Sequence, residues 1–187
     1  MTARVRLVDA DQAPLLVRGM FEGGDPGVIV RALATVPELA EAAAPFLGAA
    51  LGPGSAPPEA KEIAVLRTSA LLGCRYCVNA HTVAARDMGF PAEVVRALRE
   101  TPAGTRPPGL DDATAALVTW IDAVAGGRGP VADELHRAVA ARLAEHQIVE
   151  LVVTVGVTLL LNRLCSALAL PSSPETLARL DAEGFPA

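Results

Sequence analysis

The sequence predicts an all-α fold. Hydrophobic residues make up 51% of the 187 residues, yet the chain has only one Trp, one Tyr and four Phe. This composition, rich in alanine and leucine, favours helices packed through small aliphatic side chains over a β-sandwich. Apolar residues also recur at helical spacing, as Ile63, Leu66 and Ala70 do. The length fits one domain with a sizeable core, so we expect a single domain over residues 1–187.

Prolines and glycines allow the helices to be assigned in order. Proline fits the first turn of a helix and glycine commonly ends one. Residues 1–11 lack a helical pattern and are expected to be extended. Pro45 predicts a kink or a split in the third helix, and Asp111 or Asp112 is expected to cap the seventh. The predicted helices are 12–22, 26–36, 37–50, 58–72, 74–88, 91–100, 110–125, 131–143, 145–168 and 174–184.

The connections and the long helix carry further expectations. Residues 52–58, 101–109 and 126–130 are rich in Pro and Gly and predict loops or turns. The loop at 101–109 is a candidate mobile lid or a simple connector, and we favour the connector. Residues 145–168 are apolar nearly all round, so this helix should run through the middle of the core or along a subunit interface.

Charge and hydropathy exclude two classes of partner. The net charge is −5 and the arginines are spread along the chain, so no basic surface for nucleic acid is expected. Asp9 and Asp11 occupy the region where a signal peptide would need an apolar segment. The longest apolar run, residues 151–161, has eleven residues, whereas a membrane span needs about twenty. We therefore expect a cytoplasmic protein without a membrane partner, in which a close cysteine pair is more often catalytic or metal-binding than structural.

The candidate site lies around residues 62–81. Cys74, Cys77 and His81 stand at i, i+3 and i+7, which places the three side chains on one stripe of a helix. Gly73 predicts a break between this helix and the preceding one. Two helices that fold back at that glycine would bring Glu62 to the depth of His81. A carboxylate can therefore reach the thiols and the imidazole.

These four side chains suit thiol redox chemistry. Thiols at i and i+3 of a helix lie within disulfide reach, and the thiolate is the nucleophile. The helix start favours ionisation of Cys74, whereas Cys77 has His81 one turn later as a base. We favour Cys77 as the nucleophile and Cys74 as the resolving thiol, with His81 as the base and Glu62 as its orienting partner.

Other interpretations remain open. The same four side chains could bind zinc, although structural zinc prefers a second Cys or His pair and none is evident. The two cysteines could also be inert and buried, because free Cys is among the most buried residue types. Cys165 lies within the apolar helix and is expected to serve in packing. His136 and His146 are expected on solvated faces, and Tyr76 and Trp120 in the core or a pocket wall.

The pattern E-x11-C-x-Y-C-x-x-A-H, from Glu62 to His81, resembles the signature of the alkylhydroperoxidase D (AhpD)-like branch of the carboxymuconolactone decarboxylase superfamily. Residues 85–89 and the segment NRLCSAL at 162–168 are also similar, and the resemblance covers residues 35–170. It implies an AhpD-like helical bundle that assembles as a trimer or hexamer. In the family the second cysteine is peroxidatic and the first resolves the disulfide, while the glutamate and histidine relay protons through a water. Those roles correspond to Cys77, Cys74, Glu62 and His81.

The expected function is hydroperoxide reduction by a thiol peroxidase without a cofactor or a metal. Its partners would be a small-molecule hydroperoxide and a dithiol reductant, which the resemblance suggests is a lipoyl or thioredoxin-like protein. One alternative keeps the fold and uses His81 and Glu62 as acid and base in a carboxymuconolactone decarboxylase-like lyase or isomerase. Another is a redox-sensing oligomer without turnover.

Overall fold

The computed structural model describes residues 2–127 and 129–185. Within those ranges the chain is helical and has no β-strand, which confirms the all-α prediction. Two 3₁₀ helices, Ala10–Gln12 and Leu15–Phe21, come first. The α-helices that follow are α1 Val28–Leu33, α2 Pro37–Leu51, α3 Pro58–Leu71, α4 Arg75–Asp87, α5 Ala92–Glu100, α6 Asp112–Gly126, α7 Asp133–Ala140, α8 Glu145–Ala167 and α9 Pro174–Ala182.

The predicted helix boundaries differ from those in the structure mainly near the N-terminus. The predicted first helix, residues 12–22, is wrong as an α-helix, because Pro14 separates two 3₁₀ helices there and has no N–H to continue the first. Helix α2 runs unbroken through Pro45, so no split occurs. Asp111 is the cap of α6 and accepts hydrogen bonds from two backbone N–H groups of its first turn. Arg128, in the predicted turn at 126–130, lies outside the described residues.

Helix α3 occupies the middle of the fold. It contacts α4, α5, α6 and α8, and nine of its fourteen residues are buried. Ala64 and Leu66 have no exposed surface. The long helix α8 packs one face on α3 but leaves Val149, Val152 and Leu160 exposed on the other. The sequence predicted that α8 runs through the middle of the core or along a subunit interface. The structure instead places the shorter α3 in the middle of the core.

A tight turn joins α3 to α4 and places the candidate site at its end. Gly73 has a φ of +63°, a left-handed conformation that glycine adopts without steric cost. Cys74 follows directly as the N-cap residue of α4. The two helices pack along each other, so residues before and after Gly73 face each other across the pair.

A buried ion pair ties the loop at 101–109 to the core. Arg67 has no exposed surface, and its Nε lies 2.6 Å from Asp122 Oδ1. The guanidinium also donates to the carbonyl of Thr101 at 2.7 Å, and Gly104 N–H donates to Asp122 Oδ2 at 3.0 Å. These bonds anchor the first part of the loop, which favours a connector over a mobile lid.

A second polar contact joins the loop before α3 to α8. Lys61 Nζ lies 2.7 Å from Glu150 Oε1 and 2.6 Å from the Gly52 carbonyl. The backbone N–H of Ser55 donates to Glu150 Oε2 at 2.8 Å. Hydrogen bonds from Lys61 and Ser55 lower the pKa of Glu150 to about 2. The carboxylate is therefore the centre of this contact.

Helix α8 is the one described helix that is long and apolar enough to cross a membrane by length and composition. Its most apolar window has a mean hydropathy of 1.9, and half of that window is buried inside the protein. It packs against α2, α3, α4 and α6. Packing within the helical core accounts for much of its apolar character, as for core helices in general.

Candidate redox site

The two motif thiols lie together at the start of α4. Cys74 Sγ and Cys77 Sγ are 2.7 Å apart, and both residues are buried. A disulfide bond is about 2.05 Å long, so a small rotation of either side chain would join the sulfurs. All three cysteines of the chain are free thiols in this structure. The i, i+3 spacing in the sequence correctly predicted this pair.

Cys165 completes a cluster of three sulfurs that the sequence did not predict. The Sγ atoms of Cys74, Cys77 and Cys165 all lie within 4.8 Å of one another, and Cys165 is buried. We call these three residues the cysteine cluster. Cys165 lies on α8, which is distant from the motif in the sequence. The segment 162–168, which contains Cys165, resembles the family, but nothing in its spacing predicts contact with α4.

Hydrogen bonding within the cysteine cluster places the negative charge on Cys74. Thiol hydrogen bonds with Cys165 and Cys77 lower the pKa of Cys74 to about 3. The position of Cys74 at the N-terminus of α4 acts in the same direction. Hydrogen bonds with Cys165 and with Cys74 raise the pKa of Cys77, and the bond with Cys74 raises the pKa of Cys165 to about 12. The cluster therefore favours the thiolate form of Cys74 over that of Cys77 or Cys165.

Glu62 and His81 form the predicted pair. His81 Nδ1 lies 2.9 Å from Glu62 Oε1, and both side chains are largely buried, with 30% and 12% of their surface exposed. An ionised carboxylate only accepts hydrogen bonds, so Nδ1 carries the proton and Nε2 keeps its lone pair. This tautomer leaves the outer nitrogen able to accept a proton.

The Glu62–His81 pair and the cysteine cluster are not directly hydrogen-bonded to each other. His81 follows Cys77 by four residues on α4, which places the two on the same face of the helix. Among the hydrogen bonds of the described residues, none joins the His81 ring to a cysteine sulfur. A proton moving between them would cross through a water or a substrate oxygen.

Aliphatic and aromatic side chains surround the cysteine cluster. Tyr76 packs beside it, and burial raises the pKa of its phenol to about 12. Val5 and Leu7 of the N-terminal segment cover another side, where the Arg4 backbone N–H donates to the Leu168 carbonyl at 2.8 Å. The predicted extended N-terminus is thus part of the site wall.

The other residues singled out from the sequence lie where they were expected, either on the surface or in the core. His136 and His146 are exposed, and Trp120 is buried in the main core. The zinc interpretation with Glu62 and His81 as ligands does not fit, because those two side chains pair with each other. Among the described residues, the group that could hold a metal ion is the cysteine cluster alone.

Two surface pockets lie elsewhere on the molecule. Their volumes are about 230 and 340 Å³, and both include Glu59 and Ile63 of α3. Neither pocket is lined by Glu62, His81 or a cysteine.

Solved structures share this fold at low sequence identity. An uncharacterized peroxidase-related protein from Silicibacter sp. TM1040 superposes with a TM-score of 0.78 at 18% identity, covering 93% of each chain. An uncharacterized peroxidase-related protein with an alkylhydroperoxidase AhpD core, from Ralstonia eutropha JMP134, also gives 0.78 at 18% identity, covering 93% of this chain and 94% of that one. A Cys-to-Ala variant of the debrominase Bmp8 in complex with 2,3,4-tribromopyrrole gives 0.76 at 20% identity, covering 97% and 98%. These likenesses establish the fold.

One family model matches part of the chain. Residues 37–105 match the carboxymuconolactone decarboxylase family, and this segment contains Glu62, Cys74, Cys77 and His81. This match and the shared fold support a relationship to the AhpD-like/carboxymuconolactone decarboxylase superfamily. No curated protein matches the sequence. The matched segment spans α2 to α5, which carry the motif thiols and the Glu62–His81 pair.

Proposed function

We propose that this protein is a thiol-dependent hydroperoxide reductase. The observation that carries the proposal is the contact of two thiols at the start of α4, with the Glu62–His81 pair one turn further along. Thiols that lie within disulfide reach can pass two electrons to an electrophilic oxygen without large backbone motion. A carboxylate-oriented imidazole supplies the proton that the departing alkoxide needs.

The proposed cycle begins with Cys77. The Cys77 thiol passes its proton towards His81 as its sulfur attacks the terminal oxygen of the hydroperoxide, the O–O bond breaks, and the alkoxide takes that proton from His81 and leaves as an alcohol. Cys77 is then a sulfenic acid. The Cys74 thiolate attacks that sulfur, the S–O bond breaks, the hydroxide takes a proton from solvent and leaves as water, and the Cys74–Cys77 disulfide forms. A dithiol donor restores both thiols by exchange through a mixed disulfide.

Two properties of the thiols support this division of roles. Cys77 has 5% of its surface exposed, whereas Cys74 has 1%, so Cys77 is the more accessible to a substrate. His81 also stands on the Cys77 face of the helix. The low pKa of Cys74 keeps a thiolate ready for the second step, because the resolving attack requires an ionised sulfur.

We further propose that the protein acts as a homo-oligomer of three or six copies in the cytoplasm, as one domain spanning residues 1–187. Exposed apolar residues on α8, Val149, Val152 and Leu160, form a stripe that a second copy would cover. Three free thiols suit a reducing compartment. The reductant would be a lipoyl or thioredoxin-like dithiol protein.

The decisive test is hydroperoxide consumption by the reduced protein with dihydrolipoamide or a thioredoxin system as donor. Wild type should turn over cumene hydroperoxide, and Cys77→Ser should abolish turnover. His136→Gln is the matched control, because His136 is exposed and far along the chain from the site. Absence of hydroperoxide reduction with every dithiol donor would refute the proposal.

The same assay separates the rival functions. A decarboxylase-like lyase or isomerase would retain activity on small carboxylated substrates in a Cys74→Ser/Cys77→Ser variant, since Glu62 and His81 remain. A redox sensor would form the disulfide once and change its assembly without turnover. Because the debrominase Bmp8 shares the fold, 2,3,4-tribromopyrrole belongs in the assay as a rival electrophile.

A further inference from the structure

The cysteine cluster contains one thiol more than the proposed cycle uses. Cys165 Sγ lies within 4.8 Å of both Cys74 Sγ and Cys77 Sγ, and the residue has 1% of its surface exposed. Its other neighbours in this part of the core are aliphatic, among them Ala32 and Leu170. Packing is the role that the sequence predicts for Cys165, since free Cys is often buried. The geometry instead places a second possible resolving thiol beside Cys77.

We propose that Cys165 is a third redox thiol, which resolves a sulfenic acid on Cys77 by forming a Cys77–Cys165 disulfide. This inference rests on the proposed function for its oxidant, a hydroperoxide. The Cys165 sulfur attacks the Cys77 sulfur, the S–O bond breaks, and hydroxide leaves as water with the thiol proton. Once Cys74 is again a free thiolate, it can attack Cys77, release Cys165, and move the disulfide into the motif, where the dithiol donor reduces it.

The ionisation pattern explains when Cys165 would act. The hydrogen bond with Cys74 raises the pKa of Cys165 to about 12, so Cys165 stays protonated while Cys74 holds the charge. Removing the Cys74 thiolate, by substitution or by oxidation, removes that restraint. Cys165 would therefore serve when Cys74 is spent, and so protect Cys77 from further oxidation to a sulfinic acid.

The test begins with Cys74→Ser, treated with one equivalent of cumene hydroperoxide. We expect two thiols to be lost and peptide mapping to show a Cys77–Cys165 disulfide. Because this bond joins α4 to α8, far apart in the sequence, it should also speed migration on a non-reducing denaturing gel. In the Cys74→Ser/Cys165→Ser variant the reaction should stop at a sulfenic acid that dimedone traps. Equal dimedone labelling of the two variants would overturn the inference.

A second oxidant separates this inference from the proposed function. Diamide oxidises neighbouring thiols without a hydroperoxide, so it should link Cys77 to Cys165 in Cys74→Ser whether or not the protein is a peroxidase. If wild type ignores hydroperoxide but diamide forms this bond, the peroxidase proposal fails and the pairing stands. If wild type forms the motif disulfide with hydroperoxide but neither oxidant links Cys165, the third thiol is refuted alone.

Folding must be checked, because all three positions are buried. Cys165→Ala serves as the second variant, since alanine adds no polar group to the aliphatic surroundings. Helical circular dichroism and thermal melting should match wild type for both Cys165→Ala and Cys165→Ser. With excess hydroperoxide, folded Cys165→Ala should accumulate sulfinic acid on Cys77 faster than wild type, and an unchanged rate would count against the role.

Discussion

His81 Nδ1 lies 2.9 Å from Glu62 Oε1 although nineteen residues separate them along the chain. The contact forms because the α3–α4 turn at Gly73 folds the two helices back on each other. It holds the imidazole in one orientation and one tautomer, with Nε2 free to exchange a proton. If a proton relay depends on this contact, substitution of either His81 or Glu62 should slow it.

Removing either member of the pair should slow hydroperoxide reduction without unfolding the protein. Positioned acid–base groups contribute roughly 10²–10⁴-fold to rate, so His81→Gln should lose about that factor in kcat/KM. Glu62→Gln should lose less, because it only orients the ring. Steady-state kinetics with a dithiol donor would measure both.

His146→Gln is the control for these variants, because His146 is exposed. It should retain wild-type rates. A His81→Gln variant with the wild-type kcat/KM would show that the pair has no part in the reaction.

The reduced protein should contain a thiolate at unusually low pH. The pKa of Cys74 lies well below the ordinary thiol value, so the charged form persists as the pH falls from 9 towards 3. Thiolate absorbance near 240 nm should therefore remain at pH 6 in wild type and disappear in Cys74→Ser. A wild-type titration centred near pH 9 would contradict the charge distribution described for the cysteine cluster.

Asp122→Asn should destabilise the fold strongly. Arg67 has no exposed surface, and the substitution would leave its charge buried without a carboxylate partner. Breaking such a pair from one side costs about 3–5 kcal/mol in the free energy of unfolding. Urea denaturation at pH 7 measures it.

The matched control is Asp112→Asn, whose ion pair with Arg106 is largely exposed. Exposed pairs contribute about 0–1 kcal/mol, so this variant should stay close to wild type. Similar losses in the two variants would mean that burial does not determine the strength of the Arg67–Asp122 pair.

Glu150 should make stability sensitive to acid. Its pKa is about 2 in the folded protein and 4.5 for the free side chain, so its contribution is complete above pH 4.5. That contribution is lost as the pH falls from 4.5 towards 2, because the unfolded chain binds the proton first. Glu150→Gln should reduce stability at pH 7, with a difference from wild type that shrinks across this window.

Thermal unfolding between pH 2 and 7 would follow this difference, with Glu93→Gln as an exposed control on α5. A constant difference between Glu150→Gln and wild type over that range would rule out the carboxylate as its source.

The exposed apolar stripe on α8 should control assembly. Val149, Val152 and Leu160 lie at i, i+3 and i+11, which places them on one face of the helix. A charge in a covered apolar surface is costly, so Leu160→Glu should reduce the molar mass in light scattering. Leu177→Glu, on the exposed surface of α9, should not. A wild-type monomer would refute the proposed oligomer.

Local spacing in the sequence determined the helices and the order of the motif. Cys74, Cys77 and His81 share a helix face because 3.6 residues form each turn, and Gly73 marks the turn because its left-handed φ suits glycine. The same reasoning predicted the contact between Glu62 and His81, since one glycine separates their two helices. It failed at residues 12–22, where Pro14 separates two 3₁₀ helices because it has no N–H to continue the first.

Only the tertiary structure decided which distant residues join the site. Cys165 meets the motif thiols because α8 packs on α4, and Val5 and Leu7 cover the thiols because the N-terminal segment bonds to the end of α8. The spacing of residues within one sequence records which face of a helix is apolar, but not which other helix covers that face. The position of α3 at the centre, the third thiol and the N-terminal wall of the site all follow from that packing.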